Sequence, residues 1–186
     1  MKKILSSMVL STLFLLSTDK LPQSVSKVIP KGYSVLKFKK GNLNRDKIED
    51  AILILKHDKE EEKEDTKRLL YILVGTKNGD FKVVKKSSSA VLGVQDGGTM
   101  GDPFQDVAIK NGYFSVEHYG GSSWRWSRIV TFKYNKSKKN WFLHKDGGDS
   151  YHVSEPDKMT TKIKTVKDFG VLSFEKYDIQ KSELKL

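Results

Sequence analysis

The sequence predicts a mostly β fold: an antiparallel meander of hairpins forming a single β-rich domain, sandwich- or propeller-blade-like, behind an N-terminal signal peptide. Three observations predict it. Short apolar runs recur, among them DAILILK (Asp50 to Lys56) and RLLYILVG (Arg68 to Gly75). Asn-Gly pairs, the strongest short hairpin signal, follow such runs at Asn78-Gly79 and Asn111-Gly112. No long segment carries the 3.6-residue apolar period of an amphipathic helix.

The chain opens MKKILSSMVLSTLFLLSTDK, with Lys2 and Lys3 ahead of an apolar run from Ile4 to Leu16. The run is too short to span a bilayer comfortably and matches the apolar region of a secretory signal. Residues 1–26 are therefore expected to be the signal and 27–186 the domain, with cleavage before Lys27 or near Thr18. The expected location is periplasmic or secreted, with no transmembrane segment in the mature chain. The sequence contains no cysteine. That excludes disulfides, thiolate chemistry and a lipidated-cysteine anchor, so the domain must be held by burial.

The first two strands are apolar on both faces, as in a sheet covered on both sides. Asn78-Gly79 turns the second into DFKVVKK, and Asn111-Gly112 joins DVAIK to YFSVEHYG. A third hairpin runs from RWSRIVTFKY through Asn135 to Asn140 into NWFLHK, and GVLSFEKYD (Gly170 to Asp178) is expected to be a last strand. Two Asp-Gly-Gly stretches, Gly93 to Phe104 and Lys145 to Lys158, read as loops, where function concentrates on a β scaffold. The mixed-charge block HDKEEEKEDTKR (His57 to Arg68) reads as a solvated loop tip or short helix that the fold can spare, not as a binding tail.

Lys and Arg together number 34 against 23 Asp and Glu. Only four are arginine, and the lysines are scattered along the chain. Bidentate reading of phosphate or guanine needs the planar guanidinium, so nucleic acid is not the expected partner. A lysine-coated surface near anionic envelope polymers accounts better for the balance.

GNLNRDKIEDAILIL (Gly41 to Leu55) resembles the calcium loop of FG-GAP/VCBS-type repeats, and the following LLYILVGTKNGDF is similar to the second half of such repeats. The resemblance implies Asn42, Asn44 and Asp46 as side-chain ligands, Ile48 as a carbonyl ligand, and Asp50 closing a weak Ca2+ site. Asn42 stands where the repeats carry aspartate, and Lys47 where they carry glycine. A metal-free turn held by Asx hydrogen bonds is the other reading. IPKGY, GDPF and HYGGSSWRW, with this loop, resemble a group of small exported bacterial proteins of unassigned function.

None of the four histidines, His57, His118, His144 and His152, pairs at helical metal-ligand spacing, and no catalytic motif appears. Strand alternation places Trp124, Trp126, Arg128, Val130, Phe132 and Tyr134 on one face, and Phe114, Val116 and His118 on one face of the preceding strand. Trp126 is thereby expected in the core. Trp124 lies nearer the Gly120-Gly121-Ser122-Ser123 corner and, with His118, Tyr119, Arg125 and Asp102, forms the candidate ligand site. The expected function is a non-catalytic binding module at the cell envelope, for a glycan or a protein. A small hydrolase of an envelope polymer, drawing on Glu117, Asp102, Asp146 or Asp149, is the alternative. A structural or inhibitor-like partner protein is the third class.

Overall fold

The computed structural model describes residues 21–63, 66–182 and 184. Most of the expected signal peptide, residues 1–20, lies outside the described residues. Among the described residues, nine strands form two antiparallel sheets. The first sheet holds β1 (Tyr33–Gly41), β2 (Asp50–His57), β3 (Leu69–Gly75) and β4 (Phe81–Ser87). The second holds β5 (Phe104–Lys110), β6 (Tyr113–Gly121), β7 (Trp124–Asn135), β8 (Asn140–His152) and β9 (Thr160–Thr165). In each sheet every strand lies beside its neighbour in sequence, so the β-rich meander is as expected.

The main core lies where the sheets face each other. Ile52, Ile54, Leu70 and Ile72 of the first sheet meet Val116, Val130, Phe132 and Leu143 of the second, with Ala90, Val91, Leu92 and Phe174 filling between. Phe114 stacks on Phe132 at 5.0 Å, and Phe174 meets both rings edge-on. A second, smaller core lies on the outer face of the first sheet, where Leu53, Leu55, Tyr71 and Leu73 gather. The short helix α1 (Gln23–Ser26) seals it with fully buried Val25, helped by Leu21, Val28 and Ile29. Both faces of β2 and β3 are covered, which is why their sequences are continuously apolar. The expected cut before Lys27 would pass just behind this helix. Among the described residues no helix is long and apolar enough to cross a membrane.

Four local expectations are corrected. The second Asp-Gly-Gly stretch is no loop over its first half: Asp146, Gly147 and Gly148 lie inside β8, paired to both β7 and β9. A side chain at Gly147 would press on Ile163 and the Lys162 carbonyl at 3.1 Å, so glycine here serves close strand approach instead of a turn. Gly170 to Asp178 forms no strand beyond a single bridge from Ser173 to Phe142, and carries a 3₁₀ turn, Phe174–Lys176, that drops Phe174 into the core. Asn111 and Gly112 both have positive φ, as a type I′ turn requires, whereas in the Thr76–Asp80 loop only Gly79 does. Finally, the His57 to Arg68 block is not wholly solvated, because Glu60 and Arg68 are buried.

Candidate functional site

The HYGGSSWRW corner joins β6 to β7, with Gly120 opposite Trp126 and Gly121 opposite Arg125. Its glycines are required by contact. A Cβ on Gly120 would stand 2.6 Å from the Trp126 ring and 2.9 Å from Gly97, and Gly121 has φ 117°. Gly97 and Gly98, in the 3₁₀ segment Val94–Met100, pack against this pair, and the Thr99 hydroxyl donates to the Gly121 carbonyl at 3.1 Å. The first Asp-Gly-Gly stretch therefore braces the hairpin. Trp126 packs against the core, as its position on the strand requires. Trp124, two residues nearer the tip, is 61% exposed. Its ring meets His152 edge-on at 5.3 Å, and the Val153 amide donates to the Ser123 carbonyl at 2.9 Å, so β8 holds the tip from one side.

The other residues of the expected ligand site do not join Trp124. His118 is buried, its Nε2 accepting from the Leu92 amide at 3.3 Å. Burial, with the charges of Arg128 and Arg68, pushes its pKa down to about 4, so the ring is neutral at pH 7. Tyr119 and Arg125 lie on the outer face of the sheet, because neighbouring strand residues point to opposite sides. There the Tyr119 hydroxyl meets that of Tyr151 at 3.3 Å. Asp102 is a structural partner: its carboxylate accepts two bonds of 2.7 Å from Arg68, whose guanidinium also binds Glu60 at 3.0 and 2.8 Å. Burial opposes ionisation of Asp102, but the Arg68 bonds hold its pKa below the usual range.

A second buried cluster lies beneath β7 and β8. Arg128 pairs with Asp146 at 2.9 and 2.7 Å, and the hydroxyls of Tyr177 and Ser182 donate to the same carboxylate at 2.9 and 2.7 Å. Burial works against the Asp146 charge, yet these partners keep its pKa lowered. Two of the four carboxylates considered for hydrolysis are thus occupied by arginine. The other two, Glu117 and Asp149, sit on the outer face, two strands and two residues apart in register. Strand geometry puts their Cα atoms about 12 Å apart. Asp149 is moreover bonded by the Thr161 hydroxyl at 2.6 Å.

In the Asn42 to Asp50 loop the oxygens are turned to the backbone. Asn42 accepts from the Arg45 amide at 2.6 Å, Asn44 from the Asp46 amide at 2.8 Å, and Asp46 from the Ile48 amide at 2.7 Å. The Asn42 side-chain amide closes the turn on the Asp46 carbonyl. Asp50 is fully buried and accepts from the amides of Leu43, Asn44 and Gly75 at 2.9, 3.2 and 3.1 Å. These are Asx-type turns that hold the loop by themselves. Among the described residues no group of three or more His, Asp or Glu side chains is placed to hold a metal ion. The loop also bridges the sheets: Leu43 is buried in the main core, its carbonyl accepts from Trp141 Nε1 at 3.0 Å, and Arg45 Nε donates to the Asn111 carbonyl at 3.0 Å.

Sequence reasoning missed Arg68, Glu60, Arg128 and His152. One signal was available for Arg68, a charge opening a run that is otherwise wholly apolar. No family model, curated protein or solved structure matches this chain.

Proposed function

We propose that the protein is an exported, non-catalytic binding module of the cell envelope, and that it engages an envelope glycan through the hairpin tip at Trp124. The exposure of Trp124 carries the reading. Tryptophan is rarely left in water, and here a braced corner presents its ring, which lowers the ordering cost of stacking on a sugar. Ser122 and Ser123, exposed beside it in the tip, offer hydroxyl groups for hydrogen bonding. Binding is favoured over the hydrolase alternative because Asp102 and Asp146 are held by arginines and Asp149 is bonded by the Thr161 hydroxyl. A calcium ion in the Asn42 to Asp50 loop would be an accessory to this role.

The test is titration with soluble peptidoglycan fragments and N-acetylglucosamine oligomers, followed by tryptophan fluorescence. Trp124→Ala should abolish binding while changing stability by no more than about 0.5 kcal/mol, as for an exposed side chain. Trp126→Ala should instead cost about 2–3 kcal/mol, since the ring is only partly buried. Saturable binding that survives Trp124→Ala would rule out this tip as the site.

A further inference from the structure

The opposite end of the second sheet carries a different surface. At the far end of β7 the Tyr113 ring is flanked by Lys133 Nζ at 5.3 Å, Arg45 Cζ at 5.8 Å and the His144 ring at 5.2 Å. Phe142 lies under Lys138 Nζ at 5.2 Å. The Asn111-Gly112 turn brings Lys110 to the same end, and the Asn135 to Asn140 hairpin adds exposed Lys136 and Lys139. The Gly112 amide donates to the Asn42 carbonyl at 3.0 Å and the Tyr134 amide to the Gly112 carbonyl at 2.7 Å, so three separate segments are fastened into one corner.

Among the described residues, cations outnumber carboxylates at this corner. None of Arg45, Lys110, Lys133, Lys136, Lys138 and Lys139 makes an ion pair with a described residue. Two carboxylates lie at this end: Glu175 is paired with Lys85 and bonded by Asn140, and Asp46, bonded by the Asn44 and Ile48 amides, leaves one negative charge against six cations. His144 reports the local field, its pKa lowered by burial and by the charges of Lys133 and Lys145. Gathering this many unpaired cations costs repulsion, which an anionic partner would relieve.

We propose that this corner is a docking surface for a phosphate-bearing polymer of the envelope, a polyol-phosphate chain. Lysine ammonium groups on flexible stems match phosphates at irregular spacing without reading shape or sequence. The one arginine, Arg45, spends its Nε on the Asn111 carbonyl, and Tyr113 is already flanked by cations, so neither is disposed to read a base. A nucleic acid is therefore the less favoured polyanion. The surface stands some 37 Å along β7 from the Trp124 tip, eleven residue steps at strand spacing, and does not depend on the glycan reading.

The experiment is calorimetric titration of the full chain with linear inorganic polyphosphate at several salt concentrations. The triple substitution Lys136→Gln, Lys138→Gln, Lys139→Gln is expected to weaken binding at least tenfold. It should also reduce the salt slope by roughly two to three, one per lost contact. A control with the same charge change on the first-sheet side, Lys27→Gln, Lys31→Gln, Lys77→Gln, should bind like the parent. Trp124→Ala should too, which separates this proposal from the glycan site. An equal loss in the control would mean net charge alone is at work and would overturn the proposal. Absence of binding at low salt would overturn it as well. Duplex DNA bound tenfold tighter than polyphosphate would replace it with a nucleic-acid surface.

Discussion

Arg68 and Asp102, 34 residues apart in sequence, meet in a two-pronged ion pair with both contacts at 2.7 Å. The Arg68 side chain is fully buried, and Glu60 holds its other edge. The guanidinium thus ties the β2–β3 connection to the loop before β5.

Arg68→Ala should cost about 3–5 kcal/mol, because it strands buried Glu60 without a counter-charge. Asp102→Ala should cost only about 1 kcal/mol, since that side chain is 37% exposed and water screens it. Urea unfolding measures both. Equal losses would contradict the burial argument.

Acid should destabilise the fold in a window set chiefly by His118, with His144, also lowered but less buried, adding in the same direction. As pH falls below 6.5 the unfolded chain takes up a proton that folded His118 refuses until about pH 4. The stability present above 6.5 is therefore lost between 6.5 and 4, by roughly 3 kcal/mol. Asp102 and Asp146, whose pKa values are lowered, add further losses only below their ordinary 3.8. His118→Gln should flatten the profile between pH 6.5 and 4. An unchanged slope there would show that another group is responsible.

Asp50 should matter to stability whether or not calcium is added. Asp50→Ala leaves three amides without an acceptor, at about 2–4 kcal/mol. Calcium affinity should be weaker than about 1 μM, with two asparagines in the ligand set and Lys47 beside it. Calorimetry on the parent and on Asp46→Ala decides this, and sub-micromolar binding is the outcome that refutes it.

The N-terminal boundary should lie before Leu21. A chain starting at Lys27 lacks Val25, whose burial contributes about 1.5–3 kcal/mol, and loses the bond from the Phe81 amide to the Ser24 hydroxyl. It should melt below a chain starting at residue 19. If the chain is exported, N-terminal sequencing gives the natural cut, and a terminus at Lys27 with undiminished stability would refute the assignment.

Much of the second sheet was legible from alternation. Phe114, Val116 and His118 turn inward together, as do Arg128, Val130 and Phe132, and Trp126 is more buried than Trp124. The same alternation already separated Tyr119 and Arg125 from His118 and Trp124, so grouping them by closeness in sequence ignored what the strand period says. β1 and β9 carry lysines among their apolar residues with no Asn-Gly turn beside them, whereas β4, also a lysine-rich edge strand, is announced by Asn78-Gly79. Gly147 and Gly148 were read as a turn because nothing local distinguishes a glycine that bends the chain from one that admits a neighbouring strand. The Arg68 and Arg128 clusters depend on partners from other elements, and no local window contains them.

Because each strand pairs with its neighbours in the chain, the two meanders differ from the rest of the molecule in time as well as in space. Local pairings form early, and closures between distant segments come late. The latest should be the Trp141 bond to the Leu43 carbonyl, across 98 residues, and the Ser89 hydroxyl bond to the Tyr177 carbonyl, across 88. Stopped-flow measurements should find that Val116→Ala and Val130→Ala slow folding, whereas Trp141→Phe and Ser89→Ala mainly hasten unfolding. The native state would then owe its lifetime to the few clasps that join the sheets, and its speed of formation to the sheets themselves.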